Sequence, residues 1–311
     1  MNSNYIRLEK IRYAKIAASR RENGEPQILD YKGNNIIKLA LRKIQRIRKT
    51  YKIIRDTKFY ISDLAVVTDF TCNLNCRGCG QHTPEIKKLP DEIKNVDIEQ
   101  VYKDLDKISQ AVDGIGRIAL ANGEGFLNRN LEGMMEYYHK NDKILSMNVP
   151  TNGTIVPKQN ILNKMHQYGV TATITRYEVV PEEKRATVRN AMKENGISVV
   201  TFENRKWQLH EYSSQITSSE KETSKKYQHC ERYFVLIQGK LWKCETDATR
   251  VMGGLREERE GDSLLINDAT VEEVRAFLLE KSNLPHLDSC YHCRGNVGSM
   301  VIEIPAGEQI K

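Results

Sequence analysis

From about residue 60 onward, short β-rich runs alternate with longer stretches rich in Glu, Lys, Leu and Met. Residues 63–69 (DLAVVTD), 115–121 (IGRIALA), 144–150 (ILSMNVP), 170–176 (VTATITR) and 197–202 (ISVVTF) have the composition of strands. Residues 97–111, 129–140, 157–168 and 181–194, lying between them, have that of helices. Few folds accommodate this alternation. It implies right-handed βαβ units and a parallel sheet, either doubly wound or curled into a full or partial barrel. In both, chemistry gathers at the C-terminal ends of the strands.

The 311 residues are long enough for two domains at roughly 150 residues each, or for one large domain with an appendage. No run approaches the roughly 18 apolar residues of a membrane span, and residues 1–10 lack the apolar stretch of a signal peptide. A cytoplasmic protein is expected.

Charge is uneven. Residues 1–58 hold 16 Lys and Arg against five Asp and Glu, whereas the rest of the chain is slightly acidic. Within this arm Ile37, Leu41, Ile44, Ile47, Tyr51 and Ile54 recur at helical spacing, with Arg42, Lys43, Arg46, Lys49 and Lys52 on the other face. Such a helix docks on the main domain, or contacts a phosphate-bearing substrate, an anionic membrane surface or nucleic acid. No aromatic-interleaved basic stripe points to nucleic acid.

In a reducing compartment, seven cysteines are better explained by metal ligation or catalysis than by disulfides. Cys72, Cys76 and Cys79 follow the first strand in DFTCNLNCRGCGQHTP; Cys230, Cys244, Cys290 and Cys293 come late. Three plus four suggests two metal sites. Thiolates suit iron–sulfur clusters or zinc, and His82 could complete a zinc site with the first three. Around the later cysteines, 211–226 reads as a solvated loop, 233–237 and 240–243 flank Gln238-Gly239 as a hairpin, and a helix is expected near 271–281. That segment reads as a small module needing a staple.

The C-x3-C-x2-C spacing just after the first strand resembles the radical S-adenosylmethionine (SAM) superfamily. The resemblance implies an α/β fold, a partial TIM-like (β/α) barrel, with a 4Fe–4S cluster held by Cys72, Cys76 and Cys79 and one iron left open for SAM. Asn122-Gly123-Glu124-Gly125 stands where these proteins carry Gly-Gly-Glu-Pro, which contacts the SAM amino group; Asn122 and Gly125 depart from that pattern. Thr151-Asn152-Gly153 resembles the polar segment near the SAM ribose and carboxylate. Gly78 replaces an aromatic residue that often stacks on adenine, leaving Phe70 and His82 as nearby rings.

The later cysteines, with Gly239 between the first two, resemble the twitch module, a short relative of the SPASM domain that holds an auxiliary 4Fe–4S cluster. A four-cysteine zinc ribbon is the structural rival. The domains expected are a basic, largely helical arm over 1–58, a partial barrel with its following loop over 59–226, and a twitch-like module over 227–311.

What the resemblance implies chemically is cleavage of SAM to a 5′-deoxyadenosyl radical, driven by one electron from a reductase such as flavodoxin or ferredoxin, followed by hydrogen abstraction from substrate. With every thiol assigned to a cluster, no cysteine is left to quench a substrate radical, and a fully ligated second cluster suits accepting an electron. The expected reaction is therefore oxidation of a sugar or aminocyclitol secondary alcohol to a ketone. This is similar to the aminocyclitol dehydrogenase of butirosin biosynthesis, and CNLNCRGCGQHTP resembles radical SAM proteins of surface-polysaccharide synthesis. The alternatives are a maturase acting on a peptide or protein, a sugar epimerase, and a non-catalytic scaffold. Candidate catalytic residues at strand ends are Arg176, Tyr177 and Glu178, then Glu203, Arg205 and His210. His229 and His292 beside cluster cysteines suit hydrogen bonding, and Glu245 and Asp247 follow Cys244 with either a substrate-facing or a structural role.

Overall fold

The computed structural model describes residues 4–19, 48, 52–120, 123–203, 206–208, 213–216, 218–230, 233–293 and 303–310. Its strands are β1 (Tyr60–Val66), β2 (Gly114–Ala119), β3 (Met147–Thr151), β4 (Thr171–Thr175), β5 (Val199–Phe202), β6 (Lys206–Gln208), β7 (Phe234–Ile237), β8 (Lys240–Trp242), β9 (Ser263–Leu265) and β10 (Glu303–Pro305). All five expected strands form, and β1 to β5 pair in parallel in chain order. The fold is mixed α/β, with a parallel sheet of the partial-barrel kind.

The four connecting helices follow from spacing and caps. Ile98–Ala111 buries Val101, Leu105 and Ile108 on one face. Its start is fixed by Asp97, whose carboxylate accepts from the backbone N–H of Glu99 at 3.0 Å and of Gln100 at 3.3 Å. Leu131–His139, Gln159–Gln167 and Glu182–Glu194 complete the set. On β1, Asp63 faces its register partner Arg117 on β2, with 2.6 Å between carboxylate and guanidinium.

Two features depart from the sequence reading. The stretch 211–226, read as a loop, contains the start of a helix, Glu220–His229, capped by a Ser219–Glu222 capping box. Its inward face is Thr223 and Tyr227, too sparse a stripe to register as apolar periodicity. Nor does the C-terminal segment stand apart. The hairpin β7–β8 forms as expected, with Gln238 at φ 53° and Gly239 at φ 71° in the left-handed pair its tight turn requires. However, β7 pairs in parallel with β1, Leu64 opposite Phe234, so the sheet runs β5-β4-β3-β2-β1-β7-β8-β9. The helix Val271–Asn283 packs on Ile98–Ala111, and Leu278 and Val274 share one core with Leu105 and Ile118.

At the N-terminus, Asn4–Ser19 is a helix lying on β1 and β2. Gly116 permits the approach: a Cβ there would sit 2.5 Å from the Ser62 carbonyl oxygen and 2.9 Å from the Ile16 side chain. Tyr13 stacks on Tyr60 at 4.1 Å, and Glu9 is buried against Ser62 and Lys243. The basic helix expected over 37–54 lies largely outside the described residues, which include only 48 and 52–54 of it. Among the described residues no helix is long and apolar enough to cross a membrane.

Candidate active site

The loop after β1 carries Cys72, Cys76 and Cys79. Asp69 shapes its entry by accepting from the Thr71 backbone N–H at 2.7 Å. Cys79 N–H donates to the Cys76 carbonyl at 3.3 Å, which turns the chain back on itself. Cys76 is buried, and burial pushes its thiol up to about 11; burial likewise raises Cys72, with neighbouring thiols adding to both. Three thiols on one loop are a soft donor set, which suits an iron–sulfur core.

Two neighbouring loops close on this one. Gly123, at φ 68°, lets the loop after β2 pass against Thr71; a Cβ there would lie 2.4 Å from the Thr71 carbonyl oxygen. Expected to meet SAM directly, Glu124 has no exposed surface. Its carboxylate instead accepts from Thr151 Oγ1 at 2.6 Å, Asn152 N–H at 2.7 Å and Phe126 N–H at 3.1 Å. It therefore locks the β2 loop to the β3 loop, and its pKa is raised by burial despite those donors. Asn152 is buried too: Nδ2 donates to Asn73 Oδ1 at 2.9 Å and lies 4.0 Å from Cys72 Sγ. Gly125 is buried at the start of a short 3-10 turn, and Asn122 lies outside the described residues.

The three candidate catalytic residues after β4 separate. Arg176 pairs with Glu203 at 3.0 Å and lies 3.9 Å from Glu178. Arg176, Glu178 and Glu203 thus form an ion-pair group beside the edge strand β5. Tyr177 turns inward, edge-on to Trp207 at 5.1 Å and within the electrostatic reach of Cys79, Cys76 and Cys72. Burial, then those thiols, raise its phenol well above the usual range, which favours the neutral form. Arg205 and His210 lie outside the described residues.

Of the two rings offered for adenine, one is closed off and the other is half-buried. Phe70 is buried among Val67, Ile86, Val235 and Trp242, and His82 Nδ1 meets Thr249 Oγ1 at 3.0 Å. Among the described residues no three His, Cys, Asp or Glu side chains converge as ligands of one ion. Four thiolates on one zinc, at about 2.3 Å each, would need to lie about 3.8 Å apart.

The later cysteines form a second group. Cys244 lies within electrostatic reach of Cys230 and Cys290, and Cys290 within that of Cys293. Burial raises Cys244 strongly and Cys290 to about 12. Arg250, 2% exposed, places its guanidinium Nη2 3.5 Å from Cys293 Sγ, a buried cation suited to an anionic cluster. Asp247 is structural, held by Arg256 at 2.6 Å, with Asp262 on the same guanidinium. Glu245 is buried between Tyr233, whose hydroxyl donates to it, and Gln81 Nε2 at 3.2 Å. His292 Nδ1 meets the Ser213 carbonyl at 2.9 Å; the His229 side chain lies outside the described residues.

Residues 66–202 match the family model of the radical SAM superfamily. These residues, less than half of the chain, thus resemble a radical SAM domain. The structure of BtrN in complex with AdoMet and 2-DOIA shares its fold, at 15% identity and a TM-score of 0.50, covering 75% of this chain and 93% of that one. Histidine-tagged anSMEcpe with bound AdoMet aligns at 12% identity and a TM-score of 0.44, over 68% of this chain and 77% of that one. Streptococcus suis SuiB bound to S-adenosylmethionine aligns at 10% identity and 0.35, over 57% and 40%. No curated protein matches the sequence. A radical SAM domain implies a 4Fe–4S cluster and SAM, and the three thiols on the loop after β1 fit that cluster as soft donors. Sequence reasoning missed Gln81, Arg250 and Gln309, which act through contacts with distant segments; only Gln81 stands inside a motif.

Proposed function

We propose that this radical SAM enzyme oxidises a secondary alcohol of a sugar or aminocyclitol to a ketone, passing the second electron to an auxiliary 4Fe–4S cluster on Cys230, Cys244, Cys290 and Cys293. The observation that supports this reading most is the buried Arg250 guanidinium, 3.5 Å from Cys293 Sγ and interacting with Cys244, which itself lies within electrostatic reach of Cys230 and Cys290. Four thiol ligands leave no iron open to substrate, and none of the seven cysteines remains as a hydrogen donor. BtrN shares this fold and is complexed with AdoMet and 2-DOIA, and a polar small molecule is proposed here too.

When bound, the first cluster and SAM supply the 5′-deoxyadenosyl radical. Cys72, Cys76 and Cys79 hold that cluster. Glu124 positions Thr151 and Asn152, the residues proposed to lie beside SAM with Gly123 and Gly125. Tyr177 orients the substrate by donating from its neutral phenol, and the closed packing around Cys76 and Glu124 excludes water. A cytoplasmic flavodoxin or ferredoxin supplies the electron, and the basic arm makes transient contact with a membrane surface rather than with nucleic acid.

One observation favours a second reading. Tyr177, lying near the first three cysteines, could return a hydrogen atom to the substrate radical, which would make the enzyme an epimerase. The reconstituted protein should be incubated with SAM, a reductant and a candidate sugar deuterated at the reacting carbon. Deuterated 5′-deoxyadenosine with an equal amount of ketone supports the dehydrogenase; a product at unchanged oxidation level carrying solvent hydrogen overturns it.

A further inference from the structure

The C-terminal segment reaches back across the site. β10 pairs antiparallel with β6, Ile304 opposite Trp207, and the chain then turns at Gly307, at φ 79°. A Cβ at Gly307 would lie 2.7 Å from the Tyr177 Cβ, so the turn presses on the inward-facing residue after β4. Beyond it the segment is laced to the cysteine loop. Arg77 N–H donates to the Glu308 carbonyl at 2.7 Å, and Ile310 N–H to the Asn75 carbonyl at 2.8 Å.

Between those two bonds lies the Gln309 carboxamide, and its orientation is determined. Oε1 accepts from the Asn75 backbone N–H at 2.7 Å, a partner only the oxygen can serve. The amide nitrogen therefore faces Cys76, with Nε2 donating to Sγ at 3.1 Å and to the Gly307 carbonyl at 2.6 Å.

We propose that the segment 303–310 clamps the first cluster, and that Gln309, by donating to Cys76 Sγ, raises that cluster's reduction potential. The proposal rests on Cys76 being a ligand of the SAM-binding cluster. Reduction adds negative charge to the thiolate-ligated core, and an N–H dipole aimed at a ligating sulfur stabilises the reduced form more than the oxidised one. Gln309 is thus a positioning residue acting through Cys76. Water would act in the same direction as the N–H, because solvent also stabilises the more highly charged form. Losing the hydrogen bond while the clamp stays docked should therefore lower the potential, whereas opening the clamp to water should raise it.

The test is a redox titration of reconstituted full-length protein, following by electron paramagnetic resonance the reduced signal that SAM perturbs, which separates this cluster from any other. Gln309→Leu removes both amide atoms; Gln309→Glu keeps an acceptor for Asn75 N–H and removes the donor to sulfur. Hydrogen exchange at the Arg77 and Ile310 amides reports whether the clamp remains docked. The proposal expects a more negative midpoint for both variants with those amides still protected. An unchanged or more positive midpoint in both overturns it, as does a shift found only where protection is lost. If the unmodified protein shows no SAM-perturbed signal, the cluster assignment itself fails, which is a separate outcome.

Discussion

Gln81 joins the two cysteine groups: its Nε2 donates to Glu245 Oε1 at 3.2 Å, and its Oε1 accepts from Gly123 N–H at 2.8 Å. One carboxamide thereby ties the glycine of the β2 loop to the residue following Cys244. Gln81→Leu takes this acceptor from the Gly123 N–H and one donor from the buried Glu245. The expected cost is about 1–3 kcal/mol, appearing as weaker SAM binding by about fivefold or more. SAM titration of the reduced electron paramagnetic resonance signal measures it; unchanged affinity would show that the link is not part of the SAM site.

Gly123→Ala tests the close approach of the two loops. The left-handed φ of 68° and the 2.4 Å gap to the Thr71 carbonyl leave no room for a methyl group without movement of one loop. A loss of roughly 1–3 kcal/mol is expected from the backbone conformation alone, together with loss of SAM cleavage. Thermal unfolding and 5′-deoxyadenosine production check the two effects independently.

Glu9→Gln probes the anchoring of the N-terminal helix. Glu9 is buried, accepts from Ser62 N–H at 3.0 Å and Ser62 Oγ at 2.8 Å, and pairs with buried Lys243 at 3.2 Å. Burial raises its pKa, but Lys243 and the Ser62 donors outweigh that and hold the carboxyl below its ordinary value. The folded protein therefore favours the ionised form. Its contribution is fully present above the unfolded carboxylate pKa of about 4.3 and is lost as pH falls through the lower folded value. Removing one partner of such a pair costs roughly 3–5 kcal/mol near neutral pH. Unfolding of the apoprotein as a function of pH should show the gap between variant and parent narrowing below about pH 4.3. A gap that is constant with pH contradicts the ion-pair account.

Cys72, Cys76 and Cys79 changed together to Ala should abolish SAM cleavage and leave the second cluster visible by spectroscopy. Loss of both clusters in that variant would mean that the later cysteines do not form an independent site.

The parallel sheet and the first cysteine group could be read from the chain because they are local: strand and helix patterns alternate along it, and C-x3-C-x2-C lies within one loop. The hairpin was equally local, since Gln238-Gly239 meets a turn's demand for positive φ. What the sequence concealed depends on contacts between distant segments. Pairing of β7 with β1 merges an apparent module into the main sheet, and Gln309 meets Cys76 across 233 positions. Glu124 stood in the right motif with a different task, because its burial and its three donors come from the fold around it. Arg176 and Glu178 were singled out by position alone, and their ion pairing with Glu203 depends on the neighbouring strand β5.

The central claim is that seven cysteines hold two four-iron clusters. Iron, sulfide and zinc should be quantified per chain after anaerobic reconstitution. The account predicts about eight irons and about eight sulfides with no zinc. About four irons, or stoichiometric zinc on the later cysteines, would contradict it.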